Sequence, residues 1–321
     1  MLIINIALMV LGMLLLVKGG DLLVDGASSL ARRFNVSELA IGLTIVAFGT
    51  SAPELVVSLS ATLGSNPEIA LGNAIGSSNV NLFVILGITG ILAPVAVQRN
   101  TIRFEIPFSL FAAVLLLALA NFSFLPGNGS RITRIEGVIL LLFFGLFIFF
   151  VFRGMKNSGT SAGKQPAKTI STAKTVFFIV LGLVFLAAGG EVVVRSAVVL
   201  AEALHISKKV IGLTIIAVGT SLPELVTSIT AIVKKSEDLA LGNIIGSNIF
   251  NILLILGVCS TVRPMEYSPV FNRDICLLIL GTALLLVAMV TGKKRKLDRW
   301  EAAILVLIYI GYAIYMVMRN E

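Results

Sequence analysis

Apolar runs about 20 residues long, the length a helix needs to cross a bilayer, follow one another along the whole chain. They begin with MLIINIALMVLGMLLLV at the N-terminus and end with ILVLIYIGYAIYMVM from Ile304. In lipid every backbone polar group has to be satisfied within its own segment or its neighbours, so such runs fold as helices. Of the 321 residues, 57% are hydrophobic and only 13% charged, against about 25% charged in a soluble domain. The mean hydropathy is +1.01. The expected class is an all-α polytopic membrane protein. The first run lacks the positive start and small-residue cleavage site of a signal peptide, so it reads as the first transmembrane helix.

Ten spans are expected, at roughly 2–30, 37–63, 69–92, 103–120, 133–152, 174–203, 207–233, 238–262, 272–291 and 299–318. Residues 153–173, which contain KNSGTSAGKQPAK, form a hydrophilic linker of flexible composition. It separates residues 1–152 from residues 174–321. These halves are copies: Glu224 follows Glu54 by 170 positions, and that offset holds without a gap from about Gly12/Gly182 to Pro94/Pro264. Five crossings reverse direction, so the second copy of a five-helix unit lies upside down in the membrane. The expected architecture is therefore ten transmembrane helices as two inverted five-helix repeats, the plan of secondary transporters.

The net charge of +8 comes from short clusters between the apolar runs, such as Arg32 with Arg33 and Lys293 to Lys296. Loop charge of this kind orients a membrane protein and gives no case for nucleic acid. With the N-terminus outside, the inner loops hold more than twice as many Lys and Arg as the outer ones. Both termini are thus expected outside the cell membrane and the linker in the cytoplasm. Cys259 and Cys276 fall in or near apolar runs and outline no disulfide framework. The one histidine, His205, falls in an expected loop.

GTSAPEL at Gly49 to Leu55 returns as GTSLPEL at Gly219 to Leu225, inside the second and seventh runs. An ionisable group at the centre of a membrane helix costs about 2.5–3.5 kcal/mol even on a lenient scale, and the chain places one there twice. No Lys or Arg lies within either motif or its LGNxIGS companion, so a bound cation or proton is the expected partner. Thr50 lies one turn before Glu54, and Thr220 before Glu224; Ser77 with Asn81 and Ser247 with Asn251 repeat the spacing, which puts each pair on one helix face. Ser51 and Ser221 add hydroxyls. Oxygen-only donors suit hard cations such as Na⁺, Ca²⁺ and Mg²⁺. Pro53 and Pro223 should kink their helices and release carbonyls near Ala47–Gly49 and Ala217–Gly219. Glycines 72, 76, 242 and 246 should let the third and eighth spans approach closely or break. Two carboxylates are neutralised by one Ca²⁺ or replaceable by a few Na⁺ competing for the same oxygens, which is exchange by mutual exclusion.

The paired motifs GTSAPE with GNAIGSSNVN, and GTSLPE with GNIIGSNIFN, resemble those of the sodium/calcium exchanger family, within the wider cation/calcium antiporters, over essentially the whole chain. The resemblance implies an antiporter with no cofactor. In it the four motif-bearing spans bind about three Na⁺ or one Ca²⁺ and the first and sixth helices slide to alternate access. It implies ligands at Ala47 (carbonyl), Thr50, Ser51, Glu54, Ser77 and Asn81, and at Ala217 (carbonyl), Thr220, Ser221, Glu224, Ser247 and Asn251. The glutamates would bridge calcium, and hydroxyls and carbonyls would build the flanking sodium sites. A monomer in the bilayer would suffice for transport. Some relatives, including potassium-dependent exchangers, carry aspartate where this chain has Asn251, which weakens a potassium-coupled alternative. Proton-coupled relatives carry a Gly-Asn lead-in where this chain has Gly-Thr-Ser, which favours sodium.

Other classes fare worse. A zinc protease needs a motif such as H-E-x-x-H, and one histidine cannot supply it. An acidic-ring channel fits a reversed duplication less well than alternating access does. Asp21, Asp25 and Glu191, in the long first and sixth spans, could line an ion entrance or simply be solvated helix ends.

Overall fold

The computed structural model describes residues 2–64, 67–98, 101–122, 131–157, 171–203, 217–291 and 295–318. Its helices are α1 (Leu2–Phe34), α2 (Glu38–Thr50), α3 (Ala52–Leu63), α4 (Glu68–Leu92), α5 (Thr101–Asn121) and α6 (Arg134–Asn157). After the linker come α7 (Thr172–Ala203), α8 (Ala217–Thr220), α9 (Leu222–Val233), α10 (Glu237–Val262), α11 (Phe271–Thr291) and α12 (Arg299–Met318). Eight of these are long and apolar enough to cross a membrane, and α2 and α3, bent by 45° to each other, add a ninth where the pair counts as one span. The expected seventh span, 207–233, is described only from residue 217, so its first half, like His205 and most of the linker, lies outside the described residues.

Each bend has a local cause. Proline has no N–H and collides with the carbonyl one turn upstream, and both breaks come two residues before a motif proline. Ser51 leaves the helix at φ −84°, ψ 3°, and Ser221 at φ −90°, ψ 8°. Neither α4 nor α10 breaks at its glycines. Instead each carries a π-helical stretch, Val80–Ile85 and Phe250–Ile255, in which the Leu86 and Leu256 amides bond back to the Asn81 and Asn251 carbonyls. A π turn is wider than an α turn and recurs at functional sites. Among the described continuous spans these two are also the most interior. In their most apolar windows 72% and 94% of residues are buried, against 33% or less for the other continuous spans.

The chain forms two compact units, Met1–Pro53 with Val151–Asn243, and Glu54–Phe150 with Ile244–Glu321. Each takes helices from both sequence halves. In the first, α1 and α7 run antiparallel at backbone contact: a Cβ on Gly19 would lie 2.8 Å from the Leu186 amide nitrogen, and one on Gly182 2.7 Å from that of Leu23. Helix α1 also packs against α9. Gly42 in α2 lies against the start of α10, 2.7 Å from Cβ position to the Leu239 carbonyl. Leu23, Leu43, Val46 and Ala47 are fully buried here.

In the second unit α4 packs against the π-helical stretch of α10 and against α11, while α12 covers the end of α4. Its core includes Leu71, Ile75, Phe83, Leu116, Ile252 and Leu253. Two short antiparallel pairings tie helix ends together, β1 (Val95–Ala96) with β4 (Lys296–Leu297) and β2 (Arg131–Ile132) with β3 (Met265–Glu266). The close approach expected of the α4 glycines is not found. Among the described residues a Cβ on Gly72 would meet only the Phe271 ring edge, at 3.8 Å, and one on Gly76 nothing within 4 Å, whereas one on Gly242 would lie 2.6 Å from the Leu39 carbonyl.

Candidate functional site

In the first unit the two motif copies touch. Ser51, at the break after α2, donates its hydroxyl proton to Glu224 Oε1 at 2.9 Å. The neighbouring Thr50 donates to Asn243 Oδ1 at 3.0 Å, with a longer contact of 3.4 Å to the Ala47 carbonyl. Asn243 in turn donates from Nδ2 to Ser228 Oγ at 3.0 Å and to the Glu224 carbonyl at 3.4 Å. Thr50, Ser51, Ser221 and Glu224 are each 3% exposed or less. Thr220 is half-buried at the end of α8, which Ala217 opens. The Ala47 carbonyl accepts the Ser51 amide at 3.0 Å, while the Ser221 amide turns to Val218 at 3.2 Å.

The second unit holds Glu54, Ser77, Asn81, Ser247 and Asn251, each 2% exposed or less. Asn73 donates from Nδ2 to Ser58 Oγ at 3.0 Å and to the Glu54 carbonyl at 3.4 Å. These are the distances of the Asn243 brace, repeated at the 170-residue offset. Asn81 and Asn251 stand at the start of the π turns, so the wider backbone lies where their side chains project inward with Ser77 and Ser247, one turn earlier.

Several of these polar atoms lack a protein partner. Among the described residues Ser77 Oγ, Asn81 Oδ1 and Nδ2, Ser221 Oγ, Ser247 Oγ and Asn251 Oδ1 are buried and make no hydrogen bond. Each such group forfeits about 1–3 kcal/mol, which a chain retains where a ligand satisfies the atoms. Among the described residues no three His, Cys, Asp or Glu side chains converge. The candidate donors are mostly neutral hydroxyl and amide oxygens, a set suited to hard cations.

The acids considered for an entrance are paired with cations. Lys234 at the end of α9 meets Asp25 at 2.8 Å and Asp21 at 3.2 Å on α1, and Glu191 pairs with Arg195 one turn along α7.

A family described as sodium/calcium exchanger protein matches the chain over residues 4–153 and 174–318, leaving out the linker. The chain belongs to the sodium/calcium exchanger family. The exchanger fold is shared in detail: the sodium-calcium exchanger NCX_Mj superposes with a TM-score of 0.81 at 34% identity, covering 97% of this chain and 98% of its own. CaxA of Alkalimonas amylolytica is 41% identical over 94% of this chain and 95% of its own. The sodium/calcium exchanger MaX1 of Methanosarcina acetivorans is 31% identical over 98% and 99% respectively. The exchanger family is one of transporters, and this member is a multi-pass membrane protein of the cation/calcium antiport class.

Sequence reasoning picked out the twelve candidate ligands but passed over Asn73, Asn243, Ser58 and Ser228. The signal was present, since all four sit in the duplicated stretches at the same offset as the glutamates.

Proposed function

We propose that this protein exchanges Na⁺ for Ca²⁺ across the cell membrane by alternating access, about three Na⁺ against one Ca²⁺, with net movement of charge. In this reading ten transmembrane helices form two inverted five-helix repeats, residues 1–152 and 174–321. Both termini face outward and the 153–173 linker is cytoplasmic. Glu54 and Glu224 bind the calcium. The side chains of Thr50, Ser51, Ser77, Asn81, Thr220, Ser221, Ser247 and Asn251, with the carbonyls of Ala47 and Ala217, complete the calcium and sodium sites. A single copy carries out the cycle.

The observation that carries the reading is the buried hydrogen bond from Ser51 of one motif copy to Glu224 of the other at 2.9 Å. Two stretches 170 residues apart in the chain, each expensive to place in a membrane, are there to serve a common polar site. The unsatisfied oxygens of Ser77, Ser221, Ser247 and Asn251 support it with donors suited to Na⁺ and Ca²⁺. The name and solved structure of relatives called sodium/calcium exchangers supply the ion pair.

The test is calcium flux in vesicles holding the purified protein. An outward sodium gradient should drive radiolabelled calcium inward, and Glu54→Gln or Glu224→Gln should abolish that uptake in protein that still inserts and melts normally. Uptake driven as well by a pH gradient without sodium would replace the sodium reading with proton coupling, and a requirement for potassium would replace it with co-transport. Normal flux in either glutamine variant would remove the glutamates from the site.

A further inference from the structure

We propose that Asn243 is a positioning residue that fixes the polarity of Thr50, drawing the threonine proton away so that its oxygen faces the ion as a pure acceptor. The inference rests on the reading above that Thr50 is an ion ligand. Asn243 is fully buried, and its amide has two distinguishable edges. One edge faces the Glu224 backbone carbonyl at 3.4 Å and Ser228 Oγ at 3.0 Å. A backbone carbonyl can only accept, so that edge is the NH₂ group. The opposite edge is then the amide oxygen, and it lies 3.0 Å from Thr50 Oγ1. An oxygen without hydrogen cannot donate, so the Thr50 hydroxyl supplies the proton. A backbone atom on α9 thus determines, through one side chain, where a hydroxyl hydrogen on α2 points.

The consequence for a cation is direct. A hydroxyl carries one proton and two acceptor lone pairs. With the proton committed to Asn243, the rest of the Thr50 oxygen is negative, the polarity a metal ion requires. Without Asn243 the hydroxyl still has the Ala47 carbonyl, about one turn back, within reach at 3.4 Å. A proton delivered there would occupy a second proposed ligand. Asn243 therefore protects two oxygens, neither of which it replaces.

The duplicated half repeats the anchoring side of this device. Asn73 donates to Ser58 Oγ at 3.0 Å and to the Glu54 carbonyl at 3.4 Å, so its amide is oriented by the same logic, with the oxygen edge turned away from α3. The same pair of distances recurs at equivalent residues of the two repeats, one set in each compact unit.

The experiment is a double-mutant cycle on the Michaelis constants for sodium and calcium in reconstituted vesicles. Thr50→Val should raise the sodium KM, and Asn243→Ala should raise it about tenfold with a smaller change in maximal rate. In the Thr50→Val background Asn243→Ala should add almost nothing, because the hydroxyl it acts through is gone. Asn243→Leu, which keeps the side-chain volume, carries the same expectation if the alanine variant fails to reach the membrane. Losses that multiply in the double variant overturn the positioning role and leave the ligand reading standing. A Thr50→Val protein with unchanged sodium and calcium KM overturns the ligand reading itself.

Discussion

Ser51 gives the one hydrogen of its hydroxyl to Glu224, a bond worth about 0.5–1.5 kcal/mol to a neutral carboxyl and about 1.5–3 kcal/mol to an ionised one. Ser51→Ala removes that donor, so Glu224 loses the hydrogen bond to Oε1 at 2.9 Å. The calcium KM should rise roughly tenfold or more, while Ser51→Thr, which keeps the hydroxyl, stays close to wild type; the two measured side by side separate the hydrogen bond from the packing. At this scale the duplicated motifs mark out candidate residues, whereas how those residues are held depends on contacts that the letters do not show. Glutamate in an apolar run announces itself, because its cost admits few explanations. An asparagine in LGNxIGS does not, because a membrane helix uses Asn, Ser and Thr as interhelical glue as readily as it uses them at a site. Only the contacts of Asn243 to the Glu224 carbonyl and to Thr50 distinguish the two.

Among the helices, α1 and α7 lie backbone to backbone, and the space for a methyl group decides how close they can be. A Cβ on Gly19 would lie 2.8 Å from the Leu186 nitrogen and 2.9 Å from the Gly182 carbonyl oxygen. Both are main-chain atoms that cannot swing aside as a side chain would. Gly19→Ala should therefore push the pair apart and destabilise the protein by about 1–3 kcal/mol, seen as a lower melting temperature in detergent. Gly76→Ala, with nothing among the described residues within 4 Å of its Cβ position, should melt like wild type or slightly above it, since alanine is the better helix former. The helices themselves were legible in the sequence from the lengths of apolar runs, and the breaks at Ser51 and Ser221 from the prolines that follow them. Which glycines are contact points was not, because a glycine in a membrane helix looks the same whether a neighbour or a gap faces it. The π turns at Asn81 and Asn251 were equally hidden: one extra residue per turn alters hydrogen-bond register without altering composition.

For the whole molecule, the duplication visible at an offset of 170 describes the origin of the chain, whereas the compact units, each drawing on both halves, describe its packing. The first could be read from the letters alone; the second depends on long-range contacts that no local pattern encodes. Charge movement belongs to this scale. In the proposed cycle about three Na⁺ crossing against one Ca²⁺ would transfer one net charge, and a charge crossing 100 mV is worth about 2.3 kcal/mol. At about 1.4 kcal/mol per tenfold change, that potential shifts the calcium ratio at which flux reverses by roughly 50-fold. Vesicles loaded with equal sodium on both sides and clamped with a potassium ionophore should therefore take up calcium when the interior is made positive, because sodium then leaves with its charge. Making the interior negative should drive calcium out. A flux indifferent to the imposed potential would mean two Na⁺ per Ca²⁺ and would overturn the proposed stoichiometry.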